Sequence, residues 1–315
     1  MPIMGDSQSF TSREVAIGTA VLILGAVGIG LAAPLVKLSS MEPTAVAFWR
    51  MGLAIPAGLV WAALDRKPQR QAAPAGGWKY FYLALPGILF AGDLAFWHSG
   101  IKITTVANAT FLANLQPVFV VLASWLIFKE RPTRAFVIAA AVAVTGAALL
   151  SAANISIAPE RLPGDALSLV TAVWYAGYIL AVRKARRFAS TGMVILWTSL
   201  ASTPVLLIVA FGLGESLVPP STTEWAILVG LALGVQIFGQ GSVAFGLGRV
   251  PAPIASIIIL VQPVVSAIAG WLMFGEGLIA VQMFGAGLVL TGVWLAQRLG
   301  KPATRHPFAK RRPRA

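Results

Sequence analysis

Ten apolar stretches divide this sequence, and each is about 18 to 25 residues long. A helix needs about 20 residues to cross the ~30 Å hydrocarbon core of a bilayer, so each stretch is long enough to span it once. Hydrophobic residues make up 57% of the 315 positions and charged residues only 11%, a balance that excludes an ordinary soluble domain. We therefore predict an all-α integral membrane protein with ten transmembrane helices near 15–36, 43–64, 78–101, 104–128, 134–152, 164–182, 191–213, 223–247, 252–274 and 278–298.

Lysine and arginine are concentrated in alternate connecting segments. If the N-terminus is cytoplasmic, twenty of the 24 basic residues fall in inner segments, and only Lys37, Lys102 and Arg161 fall in outer ones. Because basic residues are retained on the cytoplasmic side, we predict that both termini lie there. The net charge of +13 therefore indicates topology rather than binding to nucleic acid. The segments 1–14 and 299–315 are expected to be cytoplasmic, and the basic tail to be disordered and attracted to anionic membrane lipids.

The second half of the chain repeats the first. Leu115–Glu130 reads LQPVFVVLASWLIFKE, and Val261–Glu276, 146 residues later, reads VQPVVSAIAGWLMFGE. At the same offset Gly100 falls on Gly246. We predict two five-helix repeats, 15–152 and 164–298. Since five is odd, the second repeat enters the bilayer from the opposite side, which predicts an inverted pair and transport by alternating access.

Three motifs resemble one family. The FWR of Phe48–Arg50, the ANATFLANLQPVFVVLASWLIFKER of Ala107–Arg131 and the APIASIIILVQPVVSAIAGWLMFGE of Ala252–Glu276 look like the drug/metabolite transporter superfamily, EamA branch. The resemblance covers roughly residues 15 to 298. It implies a secondary carrier, usually of the bacterial inner membrane, that moves amino acids or related metabolites, often outward. Drugs, quaternary amines and nucleosides are alternative substrates.

Ionisable side chains inside the predicted spans are the first candidates for a site. Each costs roughly 2.5–3.5 kcal/mol to insert, so each requires a partner or a function. Arg50 and Asp93 lie at similar depths, about 10–12 Å below the outer helix ends at 1.5 Å per residue. They form either an ion pair or a coupling site in which Asp93 binds a proton or a substrate amine. His98 is either an interfacial residue or a relay.

Aromatic and amide side chains in the middle of helices are the second candidates. Phe90, Asp93 and Trp97 share one helix face by their spacing, as do Trp174 and Tyr178. Such groups either pack between helices or line a cavity for an amphipathic substrate, with stacking and cation–π contacts. Asn114 and Gln116 are alternatives that hold helix contacts. We predict a substrate cavity lined by Phe90, Asp93, Trp97, Asn108, Phe111, Trp174, Tyr175, Tyr178, Gln236 and Gln240.

Prolines at matching positions of the two repeats predict hinges. Pro117 and Pro263 each follow a glutamine about a third of the way along their helices. Proline removes a backbone donor and clashes with the preceding turn, so it kinks or breaks a helix. We expect both helices to bend there as the carrier changes its open side.

Other classes of membrane protein find less support. The pairs Gly92-Asp93 and Gly164-Asp165 are only faintly similar to an intramembrane aspartyl protease, and Phe90 breaks the GxGD pattern. The sequence has no HExxH motif and no cysteine, so we predict no enzyme, no metal site and no cofactor. A channel is a further alternative. The sequence does not indicate an oligomeric state.

Overall fold

A computed structural model describes residues 11–65, 71–104, 106–128, 132–151, 159–275, 277 and 279–299. Those residues form helices and no strand, and ten of the helices are long and apolar enough to cross a membrane. The predicted all-α class and the ten spans are confirmed. The spanning helices are α1 Ser12–Leu38, α2 Pro43–Leu64, α3 Trp78–Ile103, α4 with its two segments Val106–Ala113 and Gln116–Phe128, α5 Arg134–Ser151, α6 Leu162–Ala185, α7 Thr191–Gly212, α8 Thr222–Leu247, α9 Ala252–Phe274 and α10 Ala280–Leu299. The tail predicted over 299–315 lies outside the described residues beyond Leu299.

Helix α1 begins three residues before its predicted start, because a capping box forms there. The Glu14 backbone N–H donates to the Thr11 hydroxyl at 3.2 Å, and the Thr11 backbone N–H donates to the Glu14 carboxylate at 3.1 Å. Two otherwise unpaired backbone donors are thereby satisfied. The residues of this first turn are polar, so hydrophobicity alone placed the start of the helix three residues too late.

Eight of the helices form a ring. In spatial order, α1 packs on α8, then α2, α7, α3, α6, α4 and α9 follow, and α9 packs again on α1. Helices α5 and α10 pack on each other outside the ring, against α4 and α9. Adding five to the number of each helix reproduces the same order around the ring, which is the order expected if a two-fold axis exchanges the two halves.

The two-fold relation extends to single residues. In the first half, a Cβ added to Gly100 would lie 3.1 Å from the Gly164 carbonyl oxygen. In the second half, a Cβ added to Gly246 would lie 3.0 Å from the Gly18 carbonyl oxygen. Gly18 and Gly164 are 146 residues apart, as are Gly100 and Gly246. The repeat in the sequence is therefore a repeat of backbone contacts, which only glycine permits at these separations.

Helices α4 and α9 are each interrupted next to their glutamine–proline pair. The α4 helix breaks at Asn114 and Leu115, and α9 breaks at Leu260, the equivalent of Asn114. In its hydrogen-bonding orientation, the Gln116 amide donates to the carbonyl oxygens of Ala113 at 2.8 Å and Asn114 at 2.9 Å. It thus satisfies acceptors that the break leaves free, and Gln116 supports the helix rather than a ligand.

Two carboxylates join α2 and α7 at both ends. Asp65, at the end of α2, accepts from the Thr191 backbone N–H in the first turn of α7 at 3.0 Å. Glu215, just after α7, accepts from the Ala45 backbone N–H in the first turn of α2 at 2.8 Å. Ala45 and Thr191 are again 146 residues apart. Each carboxylate caps the N-terminus of the other helix, where an anion is favoured.

Candidate functional site

A cleft enters the ring at the end where α1 finishes and α2 begins. It is a small, partly open depression, and its walls come from α1, α2 and α3. Among the described residues that line it, Arg50 is the one with a charged side chain, and the others are apolar or aromatic. The lining residues are Ala32, Ala33, Val36, Pro43, Val46, Ala47, Arg50, Leu94 and Trp97.

Arg50 is directed into the ring because of its position on α2. Its neighbour Trp49 is half-buried against Trp225 of α8, and its indole N–H donates to the Leu217 carbonyl oxygen at 2.7 Å. Arg50 lies about 100° further round the helix, and its side chain is buried. Its guanidinium donates to Gln236 Oε1 at 3.1 Å and lies 5.4 Å from the centre of the Phe90 ring. Arg50 therefore joins the cleft to helices α3 and α8.

Among the described residues no salt bridge between Arg50 and Asp93 is present in this conformation; an ion pair was one of the two alternatives that the sequence left open. Both side chains are buried and interact electrostatically, but Gln236 takes the hydrogen bond from Arg50. Among the described residues, no side chain or backbone group donates a hydrogen bond to Asp93. Its carboxylate is thus a buried acceptor close to the guanidinium, without a protein donor in that part of the chain.

Two tyrosines of α6 continue the site into the ring. The rings of Tyr178 and Phe90 have centres 4.8 Å apart, and those of Tyr178 and Tyr175 are 5.5 Å apart. The Tyr178 hydroxyl donates to Gln240 Oε1 at 3.1 Å. The predicted residues Phe90, Asp93, Tyr175, Tyr178, Gln236 and Gln240 form one buried cluster beside Arg50.

Several buried polar atoms of this cluster have no hydrogen-bond partner among the described residues. They are Nε of Arg50, Nε2 of Gln236 and the hydroxyl oxygen of Tyr175. Buried polar groups are normally paired, and leaving one unpaired costs about 1–3 kcal/mol. All three atoms can donate, so the cluster offers donors that suit a polar ligand.

The segment of α8 that carries both glutamines is a π-helix over Leu231–Gln240. Its backbone hydrogen bonds join residues five apart, and such segments occur frequently at functional sites. Gln236 and Gln240 consequently reach different helices, α2 and α6. The equivalent residues of α3, 85–94, are α-helical. The backbone hydrogen bonding at the site therefore differs between the two halves of the chain.

The remaining predicted residues lie apart from the cluster. Trp97 lines the cleft. Trp174 stacks on Phe96 with ring centres 5.9 Å apart and covers Gly92, so it supports the packing of α3 on α6. Phe111 is half-buried and lines neither the cleft nor the ring cluster. The side chains of Asn108 and His98 lie outside the described residues.

Sequence reasoning missed the apolar wall of the cleft. Ala32 and Val36 on α1 are one helical turn apart, and Val46 and Ala47 lie one turn before Arg50. The sequence signal that could have indicated this wall is a set of small apolar residues within one helical turn of a charged residue in a membrane helix. In isolation they look like ordinary positions of a spanning helix.

Ten spanning helices in two symmetry-related halves, with a buried polar cluster at the base of a cleft, define a multi-pass membrane carrier. The sequence profile of the EamA-like transporter family matches residues 16–152 and again residues 162–297. The chain belongs to this family. This membership indicates a transporter of small molecules rather than an enzyme.

Curated relatives of this chain carry transporter names. It is 25% identical over 223 residues to the pseudopaline exporter CntI of Pseudomonas aeruginosa, covering 70% of this chain and 75% of that one. It is 27% identical over 176 residues to the aromatic amino acid exporter YddG of Ancylobacter novellus, covering 55% and 60%. A probable amino-acid metabolite efflux pump of Salmonella typhimurium is 26% identical over 215 residues, covering 65% and 72%.

A solved crystal structure has the same fold. The two superpose with a TM-score of 0.75 over 91% of this chain and 99% of the other, at 23% sequence identity. At that identity the likeness concerns the arrangement of the helices alone.

Proposed function

We propose that this protein exports amino acids, and related zwitterionic metabolites, across a bacterial inner membrane by alternating access. One observation carries the proposal: among the described residues that line the cleft, Arg50 alone is charged, and it is buried in the same cluster as the carboxylate of Asp93. A cation and an anion in one buried cluster match the two charges of an amino acid.

Each part of such a substrate has a counterpart in the site. The planar guanidinium of Arg50 suits a carboxylate, which it can bind through two parallel hydrogen bonds. Asp93 suits the ammonium group, and the ring of Phe90 adds cation–π attraction. The apolar side chain of the substrate lies against Val36, Leu94 and similar residues of the cleft wall.

The names of the relatives support the substrate class and the direction. Two of them are named for export of amino acids or amino-acid metabolites, and a third for export of pseudopaline. A quaternary amine fits less well, because it has no anionic group for the guanidinium of Arg50, the one charged side chain among the described residues that line the cleft. Arg50 therefore distinguishes the proposal from its main alternative.

Transport by the purified protein in liposomes tests the proposal. We expect saturable uptake and counterflow of labelled apolar amino acids, and none of quaternary amines or nucleosides. Arg50→Gln should weaken the apparent affinity about 10- to 100-fold, since a charge-assisted hydrogen bond contributes about 1.5–3 kcal/mol. Arg298→Gln makes the same change at an exposed position near the end of α10, outside the ring, and should have no effect. Quaternary-amine transport that survives Arg50→Gln would favour the alternative.

A further inference from the structure

The two-fold relation assigns every cleft residue a counterpart at the opposite end of the ring. Adding 146 takes Ala32, Ala33 and Val36 of α1 to Tyr178, Ile179 and Val182 of α6. The first three line the open cleft, whereas the side chains of the second three are fully buried. The same positions thus form an opening at one end and a packed region at the other.

Tyr178 fills the space that the cleft occupies in the other half. Its counterpart is the small residue Ala32, and it is among the largest side chains that are completely buried. The final segment of α8, Gly241–Leu247, also contacts α1, α6, α7 and α9 at this end. The opposite end of the pathway is therefore closed, and Tyr178 occupies the position where a second cleft would form.

A single hydrogen bond ties this side chain to a segment that also reaches the cleft. The Tyr178 hydroxyl donates to Gln240, the last residue of the π-helical segment of α8. Gln236, in the same segment, accepts from Arg50 at the base of the cleft.

We propose that Tyr178 is the gate at the closed end of the pathway, and that Gln240 is the catch that holds it shut. The inference rests on the proposed carrier cycle, in which the two ends open alternately. It concerns how the closed end is held, and it is independent of which substrate is moved.

The chain contains no cysteine, so single reporter cysteines can test the gate without background labelling. Val36→Cys reports the cleft, and Val182→Cys reports the equivalent position behind the gate. With a water-soluble maleimide added to detergent-purified protein, so that both ends are reachable, and no substrate present, we expect rapid labelling at 36 and slow labelling at 182. Equally rapid labelling at both would overturn the proposal.

Removing the Tyr178 hydroxyl tests whether its hydrogen bond to Gln240, rather than packing alone, keeps this end closed. Tyr178→Phe deletes the donor to Gln240 and should speed labelling at 182 about two- to tenfold, and Gln240→Met, which lacks the acceptor, should do the same. Tyr80→Phe deletes a tyrosine hydroxyl at an exposed position on α3, so labelling at 182 should not change.

Labelling at 36 in the Tyr178→Phe background is the second measurement. An opening gate lowers or preserves labelling at 36, whereas a rise at both positions indicates lost packing and contradicts the proposal. Identical rates at 182 for the two tyrosine variants would contradict it as well. Because no substrate is added, these outcomes stand apart from any failure of the amino-acid transport experiment.

Discussion

Individual charged residues were recognisable in the sequence, but their partners were not. Arg50 and Asp93 stand out because ionisable groups inside apolar stretches are costly and therefore rare. The sequence gives their depths along the helices, which made a direct ion pair plausible. The rotation of α8 about its own axis decides instead that Gln236 receives the hydrogen bond from Arg50. That rotation depends on packing and on the π-helical segment, which periodicity does not reveal.

The Asp93 carboxylate leads to a prediction about coupling. We propose that it carries a proton during transport, because it is buried near the cleft and lacks a hydrogen-bond donor among the described residues. Asp93→Asn keeps the size of the side chain and removes the titrating group. In liposomes we expect counterflow to persist while the response to an imposed pH gradient disappears.

The matched control is Glu160→Gln, which neutralises an exposed carboxylate just before α6 and should leave the pH response intact. Gradient-driven accumulation that survives in Asp93→Asn would rule out the coupling role.

Among the helices, interruptions caused by proline could be foreseen and the π-helix could not. Pro117 and Pro263 lack the backbone donor that would continue the preceding turn, and α4 and α9 do break within three residues of them. The segment LALGVQIFGQ of α8 contains no proline and reads as ordinary apolar helix. The segment contacts α1 and α2, and the sequence alone does not reveal these contacts.

The role of these helix breaks as hinges remains a prediction. Pro117→Ala and Pro263→Ala should each favour a continuous helix, since alanine is preferred over proline by about 3 kcal/mol within a helix. If bending accompanies the transport cycle, we expect counterflow to slow at least tenfold while substrate affinity changes little.

Pro56→Ala is the matched control, because Pro56 is exposed and lies within a helix that continues through it. Unchanged rates in both hinge variants would show that these prolines are tolerated rather than required.

For the whole molecule, the internal repeat was the sequence feature that best predicted the arrangement of the helices. An offset of 146 residues in the sequence predicts the two-fold arrangement, and the matched glycine contacts follow it. The closed ring of eight helices was not foreseen, because the order of helices in space depends on contacts between the halves. The difference between the open and the packed end was also not foreseen, since it arises where the repeat is broken, at Ala32 and Tyr178.

The distribution of basic residues still predicts the orientation of the molecule. With both termini cytoplasmic, fusion of a fluorescent protein at either terminus should give fluorescent cells, because such reporters fold in the cytoplasm. Fusion after Ser40, in the loop between α1 and α2, should instead activate a periplasmic phosphatase reporter. The opposite pattern would reverse the predicted orientation and with it the side to which the cleft opens.

The paired carboxylates of α2 and α7 restrict how the molecule can deform. Asp65 and Glu215 each hold the first turn of the other helix, at opposite ends of one antiparallel pair. Sliding the pair by a single helical turn, about 5.4 Å, would break both caps together. Tilting the pair as one body breaks neither. We therefore expect α2 and α7 to move as one rigid unit during the transport cycle, while the other helices of the ring change their tilt relative to this pair.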